Sequence, residues 1–263
     1  ADDIAAIVEI LEGVRAVLAS GRPHRGIELL FCVDEEAYDG GSRVLDYNII
    51  KSREAYVLDL AGAPGVAATA APTLISLSVT VTGKAAHAGF EPERGINAIA
   101  AAASALATLP QGHLDGHTTL NIGTIAGGAQ ANVVPESCVC TGEIRSSDHA
   151  KALATVETVR EAFEKAAETF GAHVQLTSEV RIKAYRTRED APAVKRFQAA
   201  CRELGLEGTL TETFGGSDNN CLAEHGIEGI VLSCGFMNAH STKEYVRVKD
   251  LLIGAKLVEK LIG

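Results

Sequence analysis

The chain has 263 residues, 46% hydrophobic and 22% charged, the proportions of a folded globular protein. Its formal net charge is −10, from 34 acidic and 24 scattered basic side chains, which argues against a nucleic-acid partner. No apolar run approaches the roughly 18 residues that mark a membrane span, and no signal peptide is visible.

Ile4–Ser20 carries apolar residues at helical spacing and stops at Gly21. "IELLFCV" (Ile27–Val33) is almost continuously apolar and reads as a strand buried on both faces. A short helix is expected over Ser42–Ile50, then a second buried strand, "AYVLDL" (Ala55–Leu60). Helices between buried strands imply a largely parallel sheet. At Pro72 the character changes: "TLISLSVTVTG" alternates apolar residues with Thr and Ser, the mark of a half-exposed antiparallel strand. An Ala-rich helix (Ile96–Leu109), two strands and a long helix (Ser147–Phe170, Ser147 as N-cap) follow, then a last strand, "HVQLTSEVRIKAY". This β-α-β-β-α-β order is a split βαβ unit. Beyond Arg188 come a helix (Ala191–Gly205), a buried strand ("IEGIVLSCGF") and a closing helix (Val248–Ile262). The expected fold is therefore α/β: a mostly parallel sheet flanked by helices, built from residues 1–71 and 186–263. An α+β ferredoxin-like domain, residues 72–185, interrupts it.

The six cysteines form no C-x-x-C pair and sit mostly in apolar stretches, as reduced thiols of a cytoplasmic protein would. The chain enters a helical pattern at once and without Met, so its beginning is expected to be missing.

Candidate chemistry lies at strand ends. Asp2 and Asp3 precede a helix, Glu35 and Glu36 follow one buried strand, Asp59 closes another, and His240 follows a third. Functional groups of open parallel sheets gather beyond the carboxyl ends of the strands. Carboxylates and an imidazole converging there suit zinc, cobalt or manganese. One of two adjacent glutamates can bind metal while its neighbour stays free as a general base. Taken singly, each has a plainer reading: a solvated Glu-Glu pair, a turn-capping Asp59, a structural His240. In the inserted domain, His87, Asn132 and Arg145 together could grip a carboxylate or an oxyanion, or could be ordinary turn and surface residues. "FGGSDNN" (Phe214–Asn220) is either a helix N-cap turn or a loop whose backbone approaches substrate.

The ordered set "ADD", "VDEEAYDGG", "YVLDLAG", "GKAAHAG", "ANVVPE", "GGSDNN" and "AHSTKEYV" resembles the di-zinc aminopeptidase and aminoacylase family that contains carboxypeptidase G and peptidase T, with the nearest likeness to peptidase T. The resemblance implies Asp2 as a carboxylate bridging two zinc ions, with Glu36 and His240 on one zinc and Asp59 on the other. It implies Glu35 as general base and His87 as the oxyanion donor, reaching into a partner subunit's site. Asn132 and Arg145 would bind the substrate's carboxylate end, with the loop of Ser217 beside the substrate and Asp34 a bystander. The implied protein is a zinc-dependent cytoplasmic exopeptidase of short peptides, homodimeric through its insert, with Co2+ or Mn2+ as alternative metals. An N-acyl amino acid deacylase of the same architecture and a non-catalytic dimerisation remnant are the alternatives. Two departures stand out. The family's upstream His-x-Asp is absent, and so are the few residues, commonly Lys-Ala-Gly, that usually follow "ADD".

Overall fold

The computed structural model describes residues 1–37 and 40–263. Tyr38 and Asp39 of the "VDEEAYDGG" motif lie outside the described residues. The chain divides into two compact units, Ala1–Ala71 with Tyr185–Gly263, and Pro72–Ala184.

The first unit opens with α1 (Ile4–Ser20), capped by the Asp3 carboxylate, which accepts from the Ala6 amide. The short α2 (Gly40–Arg43) and a 3-10 turn over Tyr47–Ile49 stand where one helix is expected over Ser42–Ile50. The strands β1 (Glu54–Leu60) and β2 (Val66–Ala71) follow. β2 is not marked by the sequence pattern, because four of its six residues are alanines with little strand preference. The chain leaves the unit at Ala71 and returns at Tyr185, and these two residues are ladder partners.

The second unit holds β3 (Thr73–Thr82), α3 (Ala98–Thr108), β4 (Gly112–His113), β5 (Thr118–Gly127), β6 (Ser137–Ser146), α4 (His149–Phe170) and β7 (His173–Ile182). Its sheet runs β4-β5-β6-β3-β7 and every pairing is antiparallel. Alternate residues of β3 (Ile75, Leu77, Val79, Val81) point into a core shared with Ala101 and Ala102 of α3 and Val159 and Phe163 of α4. α4 is capped by Asp148 rather than Ser147: the Asp148 carboxylate accepts from Lys151 N at 3.2 Å. A carboxylate also complements the helix dipole, which a hydroxyl does not.

The first unit resumes with β8 (Tyr185–Arg186), α5 (Pro192–Glu203), β9 (Thr209–Glu212), α6 (Asp218–Glu224), β10 (Glu228–Ser233), β11 (Phe236–Met237), β12 (Tyr245–Val246) and α7 (Val248–Ile262). Its main sheet has the order β1-β10-β2-β8, with β9 also on β2. The β1–β10 and β2–β9 pairs are parallel, while β10–β2 and β2–β8 are antiparallel, so the sheet is mixed. The expected strand Ile27–Val33 is in no sheet. Leu29, Leu30, Phe31 and Val33 are exposed, Val33 to 70%. Burial on two faces depends on neighbours on both sides, which an apolar run alone does not supply.

α1 and α7 approach closely through small residues. A Cβ on Gly13 would stand 2.6 Å from Val258, and one on Gly254 would strike the Glu9 carboxylate. α1 therefore turns Ala5, Ala6, Glu9, Gly13 and Val17 inward, while Ile4, Ile7, Val8, Leu11 and Leu18 are exposed. Glu9 is 0% exposed and neither carboxylate oxygen has a hydrogen-bond partner. Burial, then the nearby Asp3 and Asp250, push its carboxyl up to about 9. An unpartnered buried carboxyl group is costly. Its pKa is raised on folding, so stability is lost as pH rises from about 4.5 towards about 9. Glu9→Met should stabilise the protein by about 1–3 kcal/mol at pH 8. The gain should shrink towards pH 5, as read by urea denaturation at the two pH values.

Candidate metal centre

The polypeptide turns sharply at two points to build the site. Asp34 adopts the left-handed backbone conformation (φ 56°) and leads into a 3-10 turn over Glu35–Ala37. Asp tolerates this region better than most residues. Gly41 N donates to Val33 O at 2.8 Å, and a Cβ on Gly41 would lie 2.5 Å from that oxygen, so the turn needs glycine there. His240, beyond β11, is also left-handed (φ 59°).

These turns bring Asp2, Glu36 and His240 together. His240 Nε2 lies 3.0 Å from Glu36 Oε1 and 3.5 Å from Asp2 Oδ2. One ligand atom from each of the three falls within 4.8 Å of the others. Asp2 is held from behind: its amide donates to Glu244 Oε1 at 3.0 Å, and the Ala1 amino group also contacts that carboxylate. Burial, and then Glu36, raise the Asp2 carboxyl above its ordinary range.

Asp59, near the end of β1, lies outside that group of three. Burial pushes it up to about 9, followed by repulsion from Glu35, Asp3, Asp2 and Asp218. Asp3 is a helix cap that also accepts from the Cys234 thiol at 3.4 Å, and burial pushes it up to about 7. Asp218, which the sequence offers only as an alternative helix cap to Ser217, heads α6 with its Oδ1 buried and unpartnered. Its position in the motif "GGSDNN", between glycines and amides, was the available signal. Two carboxylates and an imidazole within reach of one another, with further carboxylates crowding behind them, are a donor set for zinc, cobalt or manganese. The residues present thus fit a divalent cation at Asp2, Glu36 and His240.

His87, Asn132 and Arg145 belong to the second unit. The loops of the first two are zipped together: Ala88 N donates to Asn132 O at 3.0 Å, and His87 bridges to Val133. His87 Nδ1 accepts from the Gly89 amide at 3.1 Å, which leaves the ring proton on Nε2. Its ring packs on Phe90, with centroids 4.3 Å apart. Arg145 does not join this pair. It sits at the far end of β6 from Asn132, roughly 26 Å along the strand at about 3.3 Å per residue, and its Nε donates to Glu143 at 2.9 Å. Strand length separates residues that read as one cluster in sequence. Ser217, 2% exposed, caps α6 in a capping box with Asn220.

Residues 69–171 match the peptidase dimerisation domain family. Aminopeptidase PepT from Bacillus cereus ATCC 10987 superposes with a TM-score of 0.93 at 35% identity, covering 99% of this chain and 70% of that one. A tripeptidase from Staphylococcus aureus Mu50 gives 0.96 at 30% identity, with the same coverage of both chains. The chain belongs to the M20 peptidase family. The uncharacterized protein YqjE of Bacillus subtilis (strain 168) is 33% identical over 262 residues, all of this chain and 71% of its own length. M20 members thus share this mixed α/β fold with its dimerisation domain. Among the described residues no helix is long and apolar enough to cross a membrane.

The capping box makes Ser217 a structural residue whatever else its loop does. Ser217→Ala should cost about 1 kcal/mol of stability in chemical denaturation, without moving the affinity of a divalent cation.

Proposed function

We propose that this protein is a metal-dependent exopeptidase of short peptides, similar in action to peptidase T. The observation that carries the reading is the convergence of Asp2, Glu36 and His240 beside a second glutamate, Glu35. A divalent cation, zinc by the chemistry of the donors, would be held by Asp2, Glu36 and His240, and would polarise a carbonyl and acidify a bound water.

The chain's own residues would do the rest. Glu35, on the same 3-10 turn as Glu36 but not in the ligand group, takes the proton from the attacking water and delivers it to the leaving amine. His87 offers its Nε2 proton to the developing oxyanion, and Asn132 beside it orients the substrate. Because His87 and Asn132 lie in the unit that carries the dimerisation domain, a homodimer is the assembly in which they would act. The second zinc position, at Asp59, is in this reading weak. Asp59 stands outside the group of three, which makes it the weaker of the two positions.

Cobalt titration followed by visible absorption tests the site. One equivalent should bind tightly, and His240→Ala should abolish it. Glu35→Gln should keep the metal and lower tripeptide turnover by about 10²–10⁴. Two tightly held ions would sink the single-cation reading, and unchanged turnover in Glu35→Gln would remove Glu35 from the proton's path. Faster hydrolysis of N-acyl amino acids than of tripeptides would reassign the substrate.

A further inference from the structure

Glu35 and Glu36 stand in a stretch of very short elements. The 3-10 turn over Glu35–Ala37, the short α2 (Gly40–Arg43) and the 3-10 turn over Tyr47–Ile49 follow one another. A single helical turn fixes several dihedral angles for one hydrogen bond, so none of the three is stable by itself. Contacts with the rest of the unit have to set their positions.

Those contacts can be followed outward from the glutamates. Asp34 O accepts from Gly40 N at 3.0 Å and Val33 O from Gly41 N at 2.8 Å, which closes the loop that carries Glu35 and Glu36. Gly40 and Gly41 open α2, where Ser42 is fully buried. Ser42 O accepts from the Tyr47 hydroxyl at 2.9 Å. The Tyr47 ring in turn lies flat on the His225 imidazole, with centroids 3.5 Å apart and planes 3° from parallel. His225 closes α6, and its Nδ1 donates to Cys221 O at 2.8 Å, which fixes the orientation of the ring. α6 is a firm support, because Asn219, Asn220, Cys221 and Leu222 are all buried. Its other end carries Asp218, one of the charges acting on Asp59. One buried helix thus reaches the carboxylate cluster at its start and holds the segment behind Glu36 at its finish.

We propose that His225 and Tyr47 are positioning residues of the candidate metal centre. Their stacked rings clamp α2 onto α6 and so hold the Glu35–Glu36 loop where Glu36 meets Asp2 and His240. The consequence for a cation rests on the reading of Asp2, Glu36 and His240 as its ligands, whereas the clamp rests on the contacts alone. A stacked ring pair shifts a local opening equilibrium by about three- to tenfold. Groups that orient a metal ligand from behind alter affinity without touching the ion.

Amide hydrogen exchange on the full chain without metal tests the clamp. In His225→Ala and in Tyr47→Ala, exchange at Gly40 and Gly41 should quicken by about three- to tenfold, while Val79 in the separate second unit keeps its rate. His225→Phe restores a flat ring and should return both glycines to within about twofold of the original rates. Because the two rings form one contact, the double alanine variant should be no faster than the faster single variant. Cobalt titration reads the consequence. His225→Ala should bind cobalt about three- to tenfold more weakly, with altered visible bands, and His225→Phe should recover both. Unchanged exchange at Gly40 and Gly41, equal quickening at Val79, additive effects in the double variant or no recovery in His225→Phe would each overturn the proposal. So would unaltered cobalt affinity and bands in His225→Ala. An unsubstituted chain that binds no cobalt would overturn the cation reading instead, and exchange at the two glycines would still decide the clamp.

Discussion

Carboxylates drawn out of water beside one another repel, and the first unit gathers them at one place. Asp2 and Asp3 come from the approach to α1, Glu35 and Glu36 from a 3-10 turn, Asp59 from the end of β1 and Asp218 from the start of α6. Each arrives by a different element, so no single local preference explains the cluster. The backbone takes uncommon conformations to build it, left-handed at Asp34 and His240, which proteins keep where the surroundings over-determine them. The raised carboxyls of Asp2, Asp3 and Asp59 record burial first and their mutual repulsion second. A divalent cation relieves that repulsion directly, and the imidazole of His240 supplies the nitrogen donor that a purely acidic surface patch lacks.

The helix behind the cluster shows a second conflict. α1 meets α7 through glycines and alanines, so backbone proximity decides which residues face inward. The inward set includes Glu9, and the outward set includes Ile4, Ile7, Leu11 and Leu18.

Much of this was legible in the residues. Alternation in Thr73–Gly83 predicts a half-exposed strand, and β3 alternates in burial along most of its length. Helical spacing predicts α1, and Asp3, one residue ahead of it, is the natural cap. Asp2 ahead of α1, Glu36 after an apolar run and His240 after a buried strand were singled out together in the sequence, and these three do meet. Two of the misses have a common physical form: each depended on a lateral neighbour. Ile27–Val33 reads as a buried strand because its own residues are apolar, but burial is conferred from the side. β2 is invisible by propensity because alanine is chosen there for close approach, with Ala67 and Ala68 fully buried between neighbours. Arg145 reads as part of a His–Asn–Arg set, yet strand rise places it away from the other two.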